Sequence, residues 1–279
     1  MLKQQRFAII GYGVMGEAII SGLISKGGID PSHITACGPR EERRVALQDK
    51  YDIQAAKDNR AAASEADVII LAVKPQKIST VLKNLDGCIP PKSLIISIIA
   101  GVPMQRIADS VKHGAIVRVM PNTPARIGEG ISVWTNSPEV TSEQKEIAQQ
   151  TLSFLGTELY VEEEYYLDMA TALSGTGPAY VFLFMEALVD AGVHMGFPRR
   201  IAEELVLGTL RGSVKFYESI RDHPAAMRNQ VTSPVGTSAE ALYYLEKAGF
   251  RTAISRAIWA AYQRSKELGA EINHTIQPD

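Results

Sequence analysis

Four apolar residues, Phe7–Ile10, run straight into Gly11-Tyr12-Gly13-Val14-Met15-Gly16, after which Ala18, Ile19, Leu23 and Ile24 recur at helical spacing. A short apolar run stopped by glycine fits a strand buried on both faces, and G-x-G-x-x-G between such a strand and a helix is the dinucleotide-binding fingerprint. Gly11 allows the tight turn, Gly13 lets the backbone approach a pyrophosphate, and Gly16 lets the helix pack close to the strand. The first N–H groups of that helix and the positive end of its dipole favour the phosphates. A chain that opens in this way is committed to a parallel sheet wound with helices.

The pattern continues accordingly. Strands are expected at 34–37, 68–72, 94–98 and 116–120, with helices at 41–50, 78–85 and 104–111 between them. A further strand at 131–135, a helix near 143–154 and a last strand near 159–161 extend the domain. The expected fold class is α/β: an N-terminal Rossmann-type doubly wound parallel sheet over residues 1–161, then an all-α dimerisation and substrate-binding domain over 162–279. Ligands bind at the carboxyl ends of such strands, where Ala72-Val73-Lys74-Pro75, Ala100-Gly101 and Pro121-Asn122-Thr123-Pro124 fall. An NAD site ends its second strand with an acid for the ribose 2'-hydroxyl. Here the strand ends Cys37-Gly38-Pro39-Arg40, and Arg40 suits a 2'-phosphate, so NADP is expected, with NADPH preferred over NADH.

After residue 161 strand patterns stop and Ala- and Leu-rich helical segments follow. Glu162, Glu163 and Glu164 precede a helix at 165–173, and Ser174-Gly175-Thr176-Gly177-Pro178 is expected to break the chain before the next one. Residues 179–195 carry Glu186 and Asp190 but no Lys or Arg, so nearly every face is apolar and a second subunit is expected to cover it. Helices at 198–219 and 250–268, with a short one from Pro224, complete the domain, and the tail to Asp279 is expected to be loose.

Between the last two long helices lies Val231-Thr-Ser-Pro-Val-Gly-Thr-Ser238-Ala-Glu-Ala-Leu242. Thr237 and Glu240 read as the capping box of a helix, with Pro234 and Gly236 shaping the turn into it. Ser233, Thr237 and Ser238 add hydroxyl donors to a helix start suited to a carboxylate or phosphate.

With 29 basic and 31 acidic residues the net charge is -2, which argues against a nucleic-acid or anionic-membrane partner and for small soluble ligands. Cys37 and Cys88 lack C-x-x-C spacing, and His33, His113, His194, His223 and His274 are scattered, so no disulfide and no metal site is expected. The opening residues show no cleavable apolar segment and no later apolar run reaches membrane-spanning length, so a cytoplasmic protein is expected.

Four motifs together, Ala72-Val-Lys-Pro75, Val117-Arg-Val-Met-Pro-Asn-Thr-Pro124, Leu173-Ser-Gly-Thr-Gly-Pro-Ala-Tyr180 and Val231-Thr-Ser-Pro-Val-Gly-Thr-Ser238, resemble the pyrroline-5-carboxylate reductase family over almost the whole chain. The resemblance implies NADPH-dependent reduction of the C=N bond of 1-pyrroline-5-carboxylate to L-proline. It implies a homodimer with an interleaved helical domain, and often a ring of dimers. It places NAD(P)H at Gly11, Tyr12, Gly13, Val14, Met15 and Gly16, at Asn59, at Ala72 to Pro75 and at Ala100 and Gly101. It places the cyclic imine carboxylate at Ser233, Gly236, Thr237 and Ser238, together with Glu164, and Ser238 stands where the family's threonine hydroxyl meets the ring nitrogen. The chain departs from the family at three points: Val235-Gly236 for Gly-Gly, Ser238 for Thr, and Val14 where Asn is common. A β-branched Val235 penalises positive φ and would reshape the donors aimed at the carboxylate. The β-hydroxyacid dehydrogenases would want a lysine on the helix after the domain boundary, and residues 165–194 hold none. The alternatives are a non-catalytic NADP-binding paralogue acting as a sensor or assembly factor, and a reductase of a related cyclic imine.

Overall fold

The computed structural model describes residues 2–275. One sheet contains β1 (Phe7–Ile10), β2 (Ile34–Cys37), β3 (Gln54–Ala56), β4 (Val68–Leu71), β5 (Leu94–Ser97), β6 (Ile116–Met120), β7 (Gly130–Asn136) and β8 (Gly156–Tyr160). Their order across the sheet is β3-β2-β1-β4-β5-β6-β7-β8. The strands from β3 to β6 are parallel, and the order reverses at β1, between β2 and β4. That reversal opens a crevice at the carboxyl ends of the strands.

Alternation along β1 divides the core into two layers. Phe7 and Ile9 pack with α1 (Val14–Ser25), α2 (Glu41–Tyr51) and, further along the sheet, α6 (Ser142–Ser153), through Ile19, Leu23, Leu47 and Leu152. Ala8 and Ile10 face the other layer, which holds α3 (Asn59–Ala63), α4 (Ile78–Leu85) and α5 (Met104–Val111). Every residue of β1, β4 and β5 is buried, as continuous apolar strands with helices on both faces require.

Three features of this unit depart from the sequence pattern. β3 and α3 were not expected: Gln-Ala-Ala on an edge is too short and too small to register as an apolar run, and α3 is a five-residue turn of helix started by Asp58, whose carboxylate accepts from Arg60 N at 3.1 Å. β7 runs antiparallel to β6, pairing Val117 with Asn136 and Met120 with Val133. The link is a short turn, Thr123–Ile127, where a parallel return would need a crossover helix. β8 pairs parallel with β7 and begins at Gly156, three residues before the expected start.

The remaining helices are α7 (Tyr166–Ala170), α8 (Gly177–His194), α9 (Arg199–Ile220), α10 (Pro224–Gln230), α11 (Thr237–Lys247) and α12 (Phe250–Thr275). The expected break at 174–178 is instead one wider helical turn, Thr171–Gly175, closed by Thr176 N donating to Thr171 O at 2.8 Å. Pro178 has no N–H for the carbonyl of Ser174, and Asn122 Nδ2 donates to that oxygen at 3.2 Å instead. Tyr166–His194 is therefore one helical run of 29 residues, long and apolar enough by length and composition to cross a bilayer, contrary to the expectation that no run reaches that length. The last helix continues to Thr275, seven residues past its expected end, and the rest of the expected loose tail, 276–279, lies outside the described residues.

By compactness the described residues part into two units, one comprising residues 2–176 with 261–275 and the other residues 177–260. Within the first, residues 164, 168 and 265 gather around Arg118 on β6. Its guanidinium, 5% exposed, donates to Glu164 Oε1 at 2.9 Å and Asp168 Oδ1 at 3.1 Å. Glu164 Oε1 also accepts from Met104 N at 2.8 Å, and Ser265 Oγ lies 3.4 Å from Asp168 Oδ1. One buried cation thus ties β6 to the start of α5, to α7 and to α12. Arg118→Met should lower the unfolding free energy by about 2 kcal/mol, below the full cost of a broken buried pair because the carboxylates are 28% and 25% exposed. Urea denaturation followed by circular dichroism measures this, and an unchanged midpoint would refute the bracing role.

Candidate active site

The first unit's site begins where β1 ends. Gly11 N donates to Cys37 O at 2.8 Å, and Ala72 N donates to Ile10 O at 2.8 Å, so the ends of β1, β2 and β4 lie level. Gly11 takes φ 101°, and a Cβ there would stand 2.7 Å from Ala72 O. A Cβ on Gly16 would overlap Gly11 O, so α1 can approach the turn this closely only with glycine. A Cβ on Gly13 would meet open space, and Gly13 caps α1 without a side-chain bond. The first N–H groups of α1 are thus left for a ligand.

A cleft of about 670 Å³ opens beside this turn and brings together the expected Gly11, Tyr12, Gly13, Arg40 and Asn59 with Ala72, Val73 and Lys74. Tyr12 contributes backbone more than ring. Its side chain is buried against Gly38, and its hydroxyl donates to Arg40 O at 2.8 Å, which fixes the loop that presents Arg40. Burial, chiefly, raises the pKa of that hydroxyl above its ordinary value, so it stays protonated and remains a donor. Cys37 Sγ donates to Asn59 Oδ1 at 3.0 Å, leaving the Asn59 amide NH2 as a donor. Burial, then the charge of Asp58, pushes the Cys37 thiol up to about 11, so it stays protonated in that bond.

Lys57, Lys77, Thr80 and Asn84 also line the cleft and were not anticipated. Lys57 follows β3, the strand the pattern missed, and lies 3.9 Å from Glu41. Lys77 stands three residues after Lys74, a spacing that could have drawn notice. Arg40, Lys57, Lys74 and Lys77 give the cleft four cations, an environment that fits phosphates. Val14, Met15, Gly16, Pro75, Ala100 and Gly101 do not line it. Val14 is exposed at the start of α1, Met15 packs on the core, Gly16 is buried under the turn, and Pro75 opens the short turn before α4. Ala100 and Gly101 follow β5 along the same rim. Glu164 is engaged through Oε1 with Met104 N and Arg118.

In the second unit, Gly236 N donates to Ser233 O at 3.1 Å across Pro234 and Val235. Proline at the second position and φ 60° at Val235 describe a type II turn, whose third position ordinarily takes glycine. Val235 is fully exposed, so nothing packs against it in return. The expected capping box does not form. Thr237 is the first residue of α11 rather than its cap, and Gly236 caps the helix without a side-chain bond. A turn that ends on glycine places the chain in register one residue early, so Thr237 and Glu240 do not reach the geometry that Thr141 and Gln144 achieve at α6. The hydroxyls of Ser233, Thr237 and Ser238 make no hydrogen bond among the described residues, and the first N–H groups of α11 lack a side-chain acceptor.

Two family models match: one described as pyrroline-5-carboxylate reductase dimerisation, over residues 164–268, and one described as NADP oxidoreductase coenzyme F420-dependent, over residues 6–101. A pyrroline-5-carboxylate reductase of Synechocystis is 43% identical over 95% of this chain and 98% of that protein. The crystal structure of a Plasmodium falciparum pyrroline carboxylate reductase with NADP bound has a TM-score of 0.88 at 32% identity, covering 96% of this chain and 99% of that one. A pyrroline-5-carboxylate reductase from Coxiella burnetii gives 0.86 at 34% identity, with 95% and 98% covered. Likeness of that degree along nearly the full length of both partners makes this chain a member of the pyrroline-5-carboxylate reductase family.

Proposed function

We propose that the protein reduces the C=N bond of 1-pyrroline-5-carboxylate to L-proline with NADPH, as the final step of making proline. The observation that carries this reading is the Ser233–Ser238 turn, where three unengaged hydroxyls stand at the uncapped start of an eleven-residue helix. The α11 N–H groups, with Ser233 and Thr237, would hold the substrate carboxylate, and Ser238 Oγ would donate to the imine nitrogen. In the first unit the α1 N–H groups would hold the pyrophosphate of NADPH, while Arg40 and Lys57 would pair with its 2'-phosphate. When bound, the dihydronicotinamide supplies a hydride. A pyrroline imine is basic enough to take the proton its nitrogen needs from water, so that hydride addition at carbon completes the amine and the chain need only orient the ring and steady its nitrogen.

Assembly belongs to the same proposal. On α8, Phe182 is 62% and Leu183 66% exposed, an apolar face that a single copy leaves open. We read it as a homodimer contact, with rings of dimers as the resemblance implies, and not as a membrane span, because it lies within the match to the dimerisation model. The free thiols of Cys37 and Cys88 support a reducing, cytoplasmic setting.

Kinetic assays test this. In NADPH oxidation assays with pyrroline-5-carboxylate, Ser238→Ala should lower kcat/KM roughly ten-fold, the loss of one hydrogen bond of ~1.4 kcal/mol, while Ser238→Thr keeps activity similar or higher. Val235→Gly should act mainly on KM by relaxing the turn. An inert wild type rescued only by the Val235→Gly, Ser238→Thr double variant would favour the non-catalytic paralogue, and faster turnover of six-membered piperideine carboxylates would move the substrate to a related imine.

NADPH should bind more tightly than NADH by titration, and Arg40→Ala should shrink that preference roughly ten-fold, the scale of one charge-assisted hydrogen bond. A wild-type preference for NADH would overturn the assignment. In sedimentation at micromolar concentration the protein should be at least dimeric, and Phe182→Glu with Leu183→Glu should release monomers. A monomeric wild type would contradict the dimer.

A further inference from the structure

Gly101 takes φ 75° on the rim beyond β5, and a Cβ there would stand 3.0 Å from Gly269 N and 3.1 Å from Gly269 Cα. In the other direction, a Cβ on Gly269 would stand 2.8 Å from Gly101 O. The backbone of α12 therefore rests on the Ala100–Gly101 turn with no side chain between them. Glycine is the poorest helix former after proline, so its place inside α12 calls for a reason, and this close approach supplies one.

One helical turn earlier on the same face, buried Ser265 lies 3.4 Å from Asp168 Oδ1. Asp168 shares Arg118 with Glu164, and Glu164 accepts from Met104 N, three residues past Gly101. The turn is thus held twice, by α12 at Gly101 and by a carboxylate at Met104. Both holds lie within the first unit.

On the dinucleotide reading of the cleft, which the proposal presupposes, Arg40 beyond β2 takes the adenosine 2'-phosphate. The nicotinamide half then extends across the switch point towards β4 and β5, where the Ala100–Gly101 turn lies. We propose that Gly269 and Ser265 are positioning residues for the nicotinamide half of the cofactor: α12 sets the turn against which that half is held. Neither needs to touch the cofactor. An alanine methyl at 269 must push the turn aside by several tenths of an ångström, whereas the adenosine seat at Gly13 and Arg40 is built from other elements.

The full-length protein is titrated calorimetrically with NADPH and with 2',5'-ADP, which carries the adenosine 2'-phosphate and no nicotinamide. For Gly269→Ala the Kd for NADPH should rise roughly five-fold or more while the Kd for 2',5'-ADP stays within about two-fold. Ser265→Ala removes the contact with Asp168 without adding volume, and should shift the same ratio by roughly two- to three-fold. It decides the matter should Gly269→Ala not fold. Equal weakening of both ligands would mean general destabilisation and would overturn the proposal, as would no change in either. A wild type that binds neither ligand would instead remove the dinucleotide reading, and the proposal with it.

Discussion

The first crossover leaves no room for side chains. At Gly11 and Gly16 any Cβ would run into backbone, so α1 descends onto the end of β1 with its first N–H groups uncovered. Everything in the first unit is arranged around that contact. β2 and β4 flank β1 because the order reverses there, the loop bearing Arg40 is pinned by Tyr12 from inside the same turn, and the cleft exists because helices leave the sheet on opposite sides. Substituting either glycine would separate the helix from the strand and lose a site before it lost a fold.

The two anion seats of the proposed function would rest on one physical device. α1 and α11 both start without a side-chain cap, and at both a glycine holds the N-cap position. At α6, by contrast, Thr141 and Gln144 close the same kind of helix start on itself. A cap that satisfies its own helix has nothing to offer a ligand, whereas a start without one leaves its N–H groups free to meet an anion.

Much of this is readable from spacing alone, because the signals are strong where burial is complete. β1 and β4 are continuous apolar runs, and the turns that follow them carry residues that line the cleft. What spacing does not reveal is set by tertiary contact or by short elements. Gln54–Ala56 is a strand only because β2 offers it an edge, and missing it hides Lys57. The direction of β7 follows from a short turn whose backbone path the sequence does not announce. Pro178 has the look of a break, yet Asn122 takes over the bond it cannot make, and the helix runs on. Resemblance assigns Glu164 to the substrate, whereas its visible commitments are to Arg118 and Met104, a role that depends on residues 46 and 60 positions away.

The left-handed Val235 stores roughly 1–2 kcal/mol of backbone energy on a turn that covers no core. Opening the turn releases that energy and uncovers nothing apolar, so the amides of Gly236 and the first turn of α11 exchange their hydrogens through an excursion several-fold more populated than glycine at 235 would permit. A substrate carboxylate bound there, as proposed, would first have to still the backbone that receives it. Its recognition would then carry an ordering entropy that a glycine turn spares, and the calorimetric signature of binding would shift towards enthalpy.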